Sequence, residues 1–331
     1  MTDTTRWGIL ATGKIAHSFA TDLALVPGAE LAAVGSRRQE SAAAFARRHG
    51  AGTAHGSYEA LVADPDVDVV YIATPHALHL DNARLAFEAG KHVLCEKPLT
   101  LNVADSEELV RLAGVHDRFL MEAMWTACHP VVRAVAAAVR SGRYGAPRQV
   151  HAELGFRVDA PPEDRMLNPD LGAGALLDMG IYPLTFAHLV LGPAEELRGT
   201  ASLSPGGIDL DVVMTGRYAG GALATMSASM TSWSSRAAAV ATDLGRIDVP
   251  DFLHPESAVF TPAAGGEAVR IEGTEPVLGQ GYGNEIAEVG RCLAAGLRES
   301  PMVPHAQTLT LMGNMDDLRR QIGVRYAAAG E

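Results

Sequence analysis

The stretch Gly8-Ile-Leu-Ala-Thr-Gly-Lys-Ile-Ala16 decides the fold, because it lies between the first predicted strand, Trp7–Leu10, and the first predicted helix, Ile15–Leu25. Its small residues match a variant of the dinucleotide fingerprint, with alanine in place of the first glycine. Such a loop brings the backbone close to a pyrophosphate, which the free N–H groups of the helix N-terminus then bind. A plain tight turn is the alternative. The position after a strand and before a helix favours cofactor binding by Ala11, Thr12, Gly13, Lys14 and Ile15.

The end of the second predicted strand indicates which dinucleotide binds. An NAD enzyme carries a carboxylate there, which accepts a hydrogen bond from the adenosine ribose. This chain has Ser36-Arg37-Arg38 instead. A hydroxyl and two guanidinium groups suit a 2′-phosphate, so NADP is the expected cofactor and NAD remains possible. The alternative is that both arginines are solvated charges at the start of a helix.

Strand and helix patterns alternate through the first third of the chain, which predicts a parallel, doubly wound Rossmann sheet with right-handed crossovers. The further predicted strands are Leu31–Gly35, a short piece around Thr53, Val67–Thr74, His92–Glu96 and Arg118–Met121. The further predicted helices are Gln39–His49, Ser57–Ala63, Leu78–Ala89 and Val103–Ala113.

After Pro130 the pattern changes to long alternating runs joined by Gly- and Pro-rich turns, which are typical of an antiparallel sheet. The predicted strands are Gln149–Val158, Gly199–Ser204, Leu210–Tyr218, Ala222–Met230 and Ala237–Val249, with helices at 130–140, 175–191, 283–297 and 307–322. The predicted class is therefore α/β followed by α+β, with an open-faced, largely antiparallel second sheet that has helices on one side. The predicted domains are 1–125 for cofactor binding and 126–331 for substrate binding and dimerisation.

The net charge restricts the classes of molecule that the protein is expected to bind. The chain of 331 residues has 27 basic and 39 acidic side chains and a formal charge of −12, which disfavours nucleic acid and anionic membranes. We expect no secretory signal and no apolar run long enough to cross a bilayer. The three cysteines, Cys95, Cys128 and Cys292, lack metal-ligand spacing and predict reduced thiols in a cytoplasmic protein.

Three motifs resemble one family. They are Thr74-Pro-His-x-x-His79, Gly90-Lys-His-Val-Leu-Cys-Glu-Lys-Pro98 and Gly172-x-Gly-Ala-Leu-Leu-Asp-Met-Gly-Ile-Tyr182. Together they resemble the glucose–fructose oxidoreductase and inositol dehydrogenase superfamily, often called Gfo/Idh/MocA. The resemblance extends from Trp7 to about Pro304, and the Glu-Lys-Pro motif is its most specific part.

Further stretches are similar to one branch of that superfamily, the dimeric dihydrodiol dehydrogenases, also described as NADP-linked D-xylose 1-dehydrogenases. These stretches are 6–9, 56–59, 119–126 and 299–304. The resemblance implies oxidation of a cyclic vicinal diol or a sugar hydroxyl, and a second sheet often used to form dimers. A small polyol or sugar substrate and a homodimer or higher homo-oligomer are therefore expected. Ala11 and Ala173 depart from the family pattern without removing a chemical group.

Oxidation of a carbinol needs a group that takes the hydroxyl proton. Lys97 and Tyr182 are the candidates, and the residues alone leave open which one transfers the proton. Asp178 and Tyr182 lie four residues apart on one predicted helix and so share a face. We assign proton transfer to Tyr182, stabilisation of its phenolate to Lys97 and orientation of a substrate hydroxyl to Asp178. The alternative for Tyr182 is a core tyrosine with a satisfied hydroxyl.

The remaining candidate residues surround the expected nicotinamide. His76 and His79 are expected to begin a helix beside it. A metal site is disfavoured, because the sequence offers no third ligand near these two histidines. Trp125 is a candidate wall of the nicotinamide pocket, with core packing as the alternative. Arg165 is expected to meet cofactor phosphate or substrate, or to be a surface charge. The other predicted cofactor-binding residues are Thr74, Pro75, Glu96 and Lys97.

Two other functions fit the same motifs. One is a glycosidase that oxidises its substrate transiently through a bound nicotinamide. The other is a regulatory protein that binds the cofactor without catalysis. The joint presence of Lys97, Asp178 and Tyr182 disfavours the regulatory function, because a sensor needs no complete set of proton-transfer groups.

Overall fold

The computed structural model describes residues 4–326. Residues 4–128 form one compact unit together with Val277–Leu309. His129–Pro276 and residues 310–326 form a second compact unit. The boundary after residue 125 stays a prediction about the domains, and the sequence did not indicate that residues 277–309 belong to the first unit.

The described residues form two sheets. Strands β1 to β6 build the first sheet and β7 to β14 the second. The strands are β1 (Thr5–Leu10), β2 (Ala29–Gly35), β3 (Thr53–His55), β4 (Val69–Ile72), β5 (His92–Glu96), β6 (Leu120–Ala123), β7 (Pro147–Gly155), β8 (Ala194–Leu203), β9 (Asp209–Tyr218), β10 (Leu223–Ser229), β11 (Ala238–Thr242), β12 (Gly245–Val249), β13 (Ala258–Pro262) and β14 (Val269–Ile271).

The helices follow the predicted positions closely. They are α1 (Lys14–Leu23), α2 (Gln39–His49), α3 (Tyr58–Val62), α4 (His79–Glu88), α5 (Val103–Val115), α6 (Trp125–Cys128), α7 (Pro130–Arg140), α8 (Ile181–Leu191), α9 (Tyr282–Ala294) and α10 (His305–Ile322). Helix α2 shows why such ends are readable from sequence. Gly50 ends it in the left-handed conformation, with φ of 76°, which glycine adopts without steric cost.

The first sheet is parallel and has the order β3-β2-β1-β4-β5-β6. This is the strand order of a Rossmann fold, so the predicted class of the first unit is confirmed. The strand order reverses between β1 and β4, where the loops after neighbouring strands diverge and leave a crevice for a ligand. Beneath this edge, Phe19 of α1 stacks on Tyr71 of β4 with ring centroids 3.6 Å apart, and both side chains are fully buried.

The second sheet has the order β14-β13-β12-β11-β7-β10-β9-β8. Every neighbouring pair is antiparallel except β7 with β10, which are parallel. Helix α8 covers one face of the sheet, where it packs against β7 and β10. It also packs against α7. On the other face, alternate side chains such as Val213, Arg217 and Leu223 are exposed. The predicted open-faced, largely antiparallel sheet with helices on one side is confirmed.

Several details of the second unit differ from the sequence prediction, among them the start of β8, which is Ala194 rather than Gly199. The run Ala237–Val249 is two strands rather than one, because Thr242 accepts hydrogen bonds from the amides of Leu244 and Gly245 through Oγ1 and closes a hairpin. The short strands β13 and β14 were missed. Their side chains are partly exposed and their runs span only five and three residues, so the apolar alternation is weak.

The expectation that no run could cross a bilayer is corrected. By length and composition alone, Pro169–Leu191 has the properties of a membrane-spanning helix. In the structure 83% of an apolar 18-residue window within this segment is buried inside the folded protein. Such burial is usual for the core helix of a soluble protein, so the segment is weak evidence for a membrane span. Its apolar character reflects its position between the second sheet and α7.

Candidate active site

The predicted cofactor-binding residues of the first unit follow the carboxyl ends of its strands. Residues 11–15 follow β1, residues 36–38 follow β2, residues 74–79 follow β4, and Glu96 ends β5. Trp125 follows β6. Because all these strands are parallel and neighbours, the residues lie along one edge of the sheet, where open α/β proteins bind their ligands.

The loop after β1 has the geometry that a dinucleotide needs. Ala11 adopts the left-handed conformation, with φ of 89°, and its N–H donates to the carbonyl oxygen of Gly35 at 3.0 Å. Alanine thus takes the conformation usual for a glycine, at a cost of about 1 kcal/mol. Gly13 precedes α1 without a side-chain cap, and a Cβ there would meet no atom within 4 Å. Uncapped N–H groups beside open space fit a pyrophosphate.

The segment after β2 leaves two guanidinium groups accessible. Ser36 is buried, and its Oγ lies 3.5 Å from the amide of Arg38, which donates to it. The side chains of Arg37 and Arg38 are exposed. Among residues 4–326, neither guanidinium forms an ion pair with a carboxylate. Both charges therefore remain available to a phosphate group.

His79 joins the turn after β4 to the turn after β5. Its ring is fully buried, with Nε2 2.9 Å from the carbonyl oxygen of Thr74 and Nδ1 3.1 Å from that of Pro98. Burial lowers the pKa of His79, whereas the surrounding carbonyl groups raise it. Asn82 donates to the Thr74 hydroxyl at 3.1 Å. The turn at Thr74 is thus held by two side chains of α4.

Lys97 follows β5 directly, and its side chain is buried with a relative exposure of 9%. Its peptide bond to Pro98 is cis. The carboxylate of Glu96 accepts two hydrogen bonds. The amide of Lys97 donates to Oε2 at 3.2 Å, and the hydroxyl of Tyr71 donates to Oε1. Burial and the neighbouring Glu96 raise the pKa of Tyr71 well above its ordinary value, so the hydroxyl remains a donor. Sequence analysis did not assign Tyr71 a role.

Glu122 is a second group that sequence analysis left without a role. It lies inside β6, fully enclosed, and accepts the amide of Leu99 at 3.1 Å and the hydroxyl of Thr308 at 2.8 Å. The pKa of Glu122 is raised to about 7, because the effect of burial exceeds the opposing effects of these hydrogen bonds and of the charge of Lys97. A carboxylate in the middle of the apolar run 119–124 was the signal that could have identified this residue.

The aromatic and histidine side chains predicted beside the nicotinamide lie in contacts within the first unit. Trp125 is buried, and its ring lies 5.4 Å from that of Tyr282 on α9, between centroids. His76 and His79 lie edge to face, with ring centroids 5.7 Å apart. Within the described part of the chain, no group of three or more His, Cys, Asp or Glu side chains is placed to hold a metal ion. His76 begins the short helical turn after β4 and His79 begins α4.

The second unit holds the helix predicted over 175–191, which is called the substrate helix below because it carries Asp178 and Tyr182. Leu176–Gly180 winds as a π-helix and continues into α8, so Asp178 lies in the wide turn and Tyr182 in the first turn of α8. Both side chains are buried, with relative exposures of 7% and 9%. Wide π turns of this kind occur frequently at functional sites. The sequence prediction of one helix over 175–191 missed this change of winding.

Arg165 contacts the substrate helix. Its Nη1 lies 3.0 Å from Oδ1 of Asp178, and about half of its side chain is exposed. The structure therefore places Arg165 beside Asp178 in the second unit. The assignments of Lys97, Asp178, Tyr182 and Arg165 to chemistry and binding stay predictions.

Two family models match the chain. The model of the oxidoreductase family with an NAD-binding Rossmann fold, GFO_IDH_MocA, matches residues 5–124. The model of the GFO/IDH/MocA C-terminal domain matches residues 132–248. Together they match more than half of the chain and leave a short gap around the start of α7.

The most similar relatives include trans-1,2-dihydrobenzene-1,2-diol dehydrogenases. The Danio rerio protein is 33% identical over 332 residues, which cover 97% of this chain and 98% of the relative. The Sus scrofa protein is 35% identical over 334 residues, with the same two coverages. Among solved structures, a 3-ketoreductase from Actinomadura kijaniata in complex with NADP and TDP-benzene is 25% identical, with a TM-score of 0.86 over 98% of this chain and 99% of that one.

These matches extend over both units, and they agree with the strand order of the first sheet and the open second sheet. Identity above 30% over nearly the whole length is shared with several vertebrate enzymes. The chain belongs to the Gfo/Idh/MocA oxidoreductase family.

Proposed function

We propose that this protein is an NADP-dependent dehydrogenase or reductase that moves hydride between the nicotinamide and a carbohydrate or cyclic vicinal diol. An NAD(P)-dependent oxidoreductase acting on CH–OH groups follows from the family. The observation that carries the finer proposal is similarity over 97% of the chain to enzymes named for oxidising a cyclic diol. It is supported by the exposed Arg37 and Arg38 at the end of β2.

Different residues of the first unit suit different parts of the cofactor. The uncapped N–H groups after Gly13 suit the pyrophosphate, and Arg37 suits a 2′-phosphate. His79 and Asn82 hold the turn at Thr74, and Glu96 holds the amide of Lys97. Held by these residues, a nicotinamide cofactor would supply the acceptor for hydride from a carbinol carbon, or the donor of hydride to a carbonyl carbon.

The proton is handled by the chain itself. In oxidation, the Tyr182 Oη takes the proton of the substrate hydroxyl, and in reduction it returns that proton. The ammonium group of Lys97 stabilises the negative charge on the phenolate. Asp178 accepts a hydrogen bond from a second substrate hydroxyl, which orients the substrate, and Arg165 holds the Asp178 carboxylate in place. A vicinal diol or sugar supplies both hydroxyl groups.

A substrate screen tests the proposal. Aldoses and cyclic trans-diols would be incubated with NADP, and the corresponding carbonyl compounds with NADPH, while absorbance at the nicotinamide band is followed. We expect turnover with at least one diol or sugar. Tight NADP binding with no turnover of any of these compounds would reject catalysis and favour the regulatory function.

We predict that NADP binds more tightly than NAD and that Arg37→Ala removes most of the difference. A charge-assisted hydrogen bond contributes about 1.5–3 kcal/mol, so losing it should weaken NADP by about 10- to 100-fold and leave NAD nearly unchanged. Titration of each variant with both cofactors gives the dissociation constants. Arg47→Ala, with the same charge change in the last turn of α2, serves as the matched control. Equal affinity of the wild type for NADP and NAD would contradict the prediction.

We also predict a homodimer, or a dimer of dimers, formed through the open face of the second sheet. The exposed face is mixed: Val213 and Leu223 lie among polar groups such as Thr225, His151 and Arg246. Mixed composition of this kind is usual for protein interfaces. A depression on this face, lined by His151, Val213 and Thr225 among others, would receive side chains of a second copy in the proposed dimer.

Light scattering at micromolar concentration measures the mass. We expect at least twice the chain mass for the wild type and a shift towards the monomer for Val213→Glu, because a charge would be buried in the interface. Val115→Glu introduces the same charge at an exposed position of the first unit and should leave the mass unchanged. A wild-type monomer would exclude the dimer. Cys95, Cys128 and Cys292 are buried and form no disulfide among the described residues, which supports the proposal of a cytoplasmic location.

A further inference from the structure

The substrate helix begins without a cap of its own. The residue before Leu176–Gly180 is Ala175, which has no side-chain acceptor, and the first N–H groups of a helix have no partner within it. The segment is buried, so water cannot satisfy these groups as it does at an exposed helix end. A partner from elsewhere in the fold is required.

Asp209, the first residue of β9, supplies that partner. It is 33 residues away in sequence, and its Oδ2 accepts the amide of Leu176 at 2.5 Å. The amide of Ala175 also interacts with this carboxylate. Asp209 has no exposed surface. One buried side chain of the sheet thus accepts the leading amides of the segment that carries Asp178 and Tyr182.

The turn before the segment is shaped around this carboxylate. Gly174 has φ of 133°, and a Cβ on it would collide with Oδ1 of Asp209 and come within 3.1 Å of the Tyr326 hydroxyl. Tyr326 in turn donates to the carbonyl oxygen of Ala173 at 2.6 Å. The glycine therefore allows two side chains to approach the start of the substrate helix from the same side.

A buried carboxylate here is costly to the fold. The pKa of Asp209 is raised to about 7, because the effect of burial exceeds the opposing effects of the Leu176 and Ala175 amides and of the charge of Arg319. Its Oδ1 accepts no hydrogen bond from any of the residues 4–326. A simple packing role would be met by an apolar side chain of similar size without this cost, so the carboxylate points to a requirement for its hydrogen bonds.

We propose that Asp209 is the positioning residue of the substrate helix: its carboxylate accepts the leading amides of the π turn and thereby fixes where Asp178 and Tyr182 are presented to the substrate. This inference rests on the proposed function, because it takes Asp178 and Tyr182 as the groups that meet the substrate. Because Asp209 has no exposed surface, its carboxylate acts through the backbone of residues 175–176 rather than by contact with substrate or cofactor.

The test compares Asp209→Ala with Asp209→Asn. Alanine removes the acceptor, and we expect kcat to fall by about a hundredfold, the scale associated with displacing a catalytic group by about 1 Å. Asparagine keeps an acceptor oxygen in the same place, so most of kcat should return. The dissociation constant for NADP should remain within about twofold in both variants, since the expected cofactor contacts other than Arg165 lie in the first unit.

Two further measurements separate positioning from general stability. Ile247→Ala, a buried change on β12 of the same sheet, should lower the melting temperature without lowering kcat. Hydrogen exchange of peptides covering 173–182 should be faster in Asp209→Ala than in the wild type and near normal in Asp209→Asn. Gly174→Ala, which pushes a methyl group against Asp209, should lower kcat even where Asp209→Ala fails to fold.

The results have distinct meanings. Unchanged kcat and unchanged exchange in Asp209→Ala, or an equal loss of kcat in Ile247→Ala, would overturn the positioning role. If the wild type turns over no diol, sugar or carbonyl compound, the proposed function fails. The exchange measurement then still decides whether Asp209 holds the start of the helix.

Discussion

Replacing Tyr182 with phenylalanine is expected to lower turnover by about two to four powers of ten, the usual scale for removing a general acid–base group. The substitution removes one oxygen from a side chain that is already buried, so the packing of α8 is preserved. Binding of NADP should not change. Steady-state kinetics with the best substrate of the screen, together with a cofactor titration, measures both quantities.

Tyr218→Phe provides the matched control. Tyr218 is a buried tyrosine at the end of β9, and burial raises its pKa to about 12, so its hydroxyl remains protonated. Loss of that hydroxyl should leave turnover within about twofold, since it removes no acid–base group that titrates near neutral pH. If Tyr182→Phe keeps most of its turnover and changes mainly KM, then Tyr182 only contacts the substrate, and Lys97 becomes the proton-transfer group.

Replacing Lys97 with methionine is expected to cost at least as much turnover as Tyr182→Phe. The side chain keeps its length and loses its charge, so a phenolate at Tyr182 loses its stabilising cation. Lys97 is also the neighbour whose charge lowers the pKa of Glu122. Removing that charge leaves Glu122 with a higher pKa inside the first unit, so a modest loss of stability should accompany the kinetic loss.

Lys91→Met is the control for Lys97→Met. Lys91 donates to the carbonyl oxygens of Asp64 and Val67, both at 2.7 Å, and it lies before β5, at the opposite end of that strand from Lys97. The control should lower the melting temperature and leave kcat within about twofold, because it removes hydrogen bonds without removing a group from the predicted site. If neither Lys97→Met nor Tyr182→Phe changes the rate, this site is not the one that carries the reaction.

The strand-helix alternation was readable from sequence because it depends on local patterns. The predicted bounds of α2 and β5, 39–49 and 92–96, agree with the structure. Apolar periodicity and the glycines that end helices are properties of neighbouring residues, so they are visible in a single chain. Where the pattern was weak, as in β13 and β14, or where a side chain closed a turn, as Thr242 does, the prediction was wrong.

The candidate site was predicted in part for the same reason. The loop at 11–15 and the Glu96-Lys97-Pro98 motif could be assigned because each lies directly after a strand, and parallel strands bring such loops to one edge. The partners that hold these loops could not be predicted. Tyr71 reaches Glu96 across 25 residues, and Thr308 reaches Glu122 across 186. No local pattern records a pairing between residues so far apart.

The sequence by itself determined the Rossmann order of elements, the open second sheet, the presence of two arginines after β2 and the family. These follow from local periodicity, turn residues and short motifs, which act over a few residues. Only the tertiary structure decided that Ala11 adopts a left-handed conformation, that the substrate helix begins with a π turn and that Asp209 accepts its leading amides. The physical reason is that a buried N–H group must find an acceptor wherever the fold places one, and burial itself exists only once distant segments have packed together.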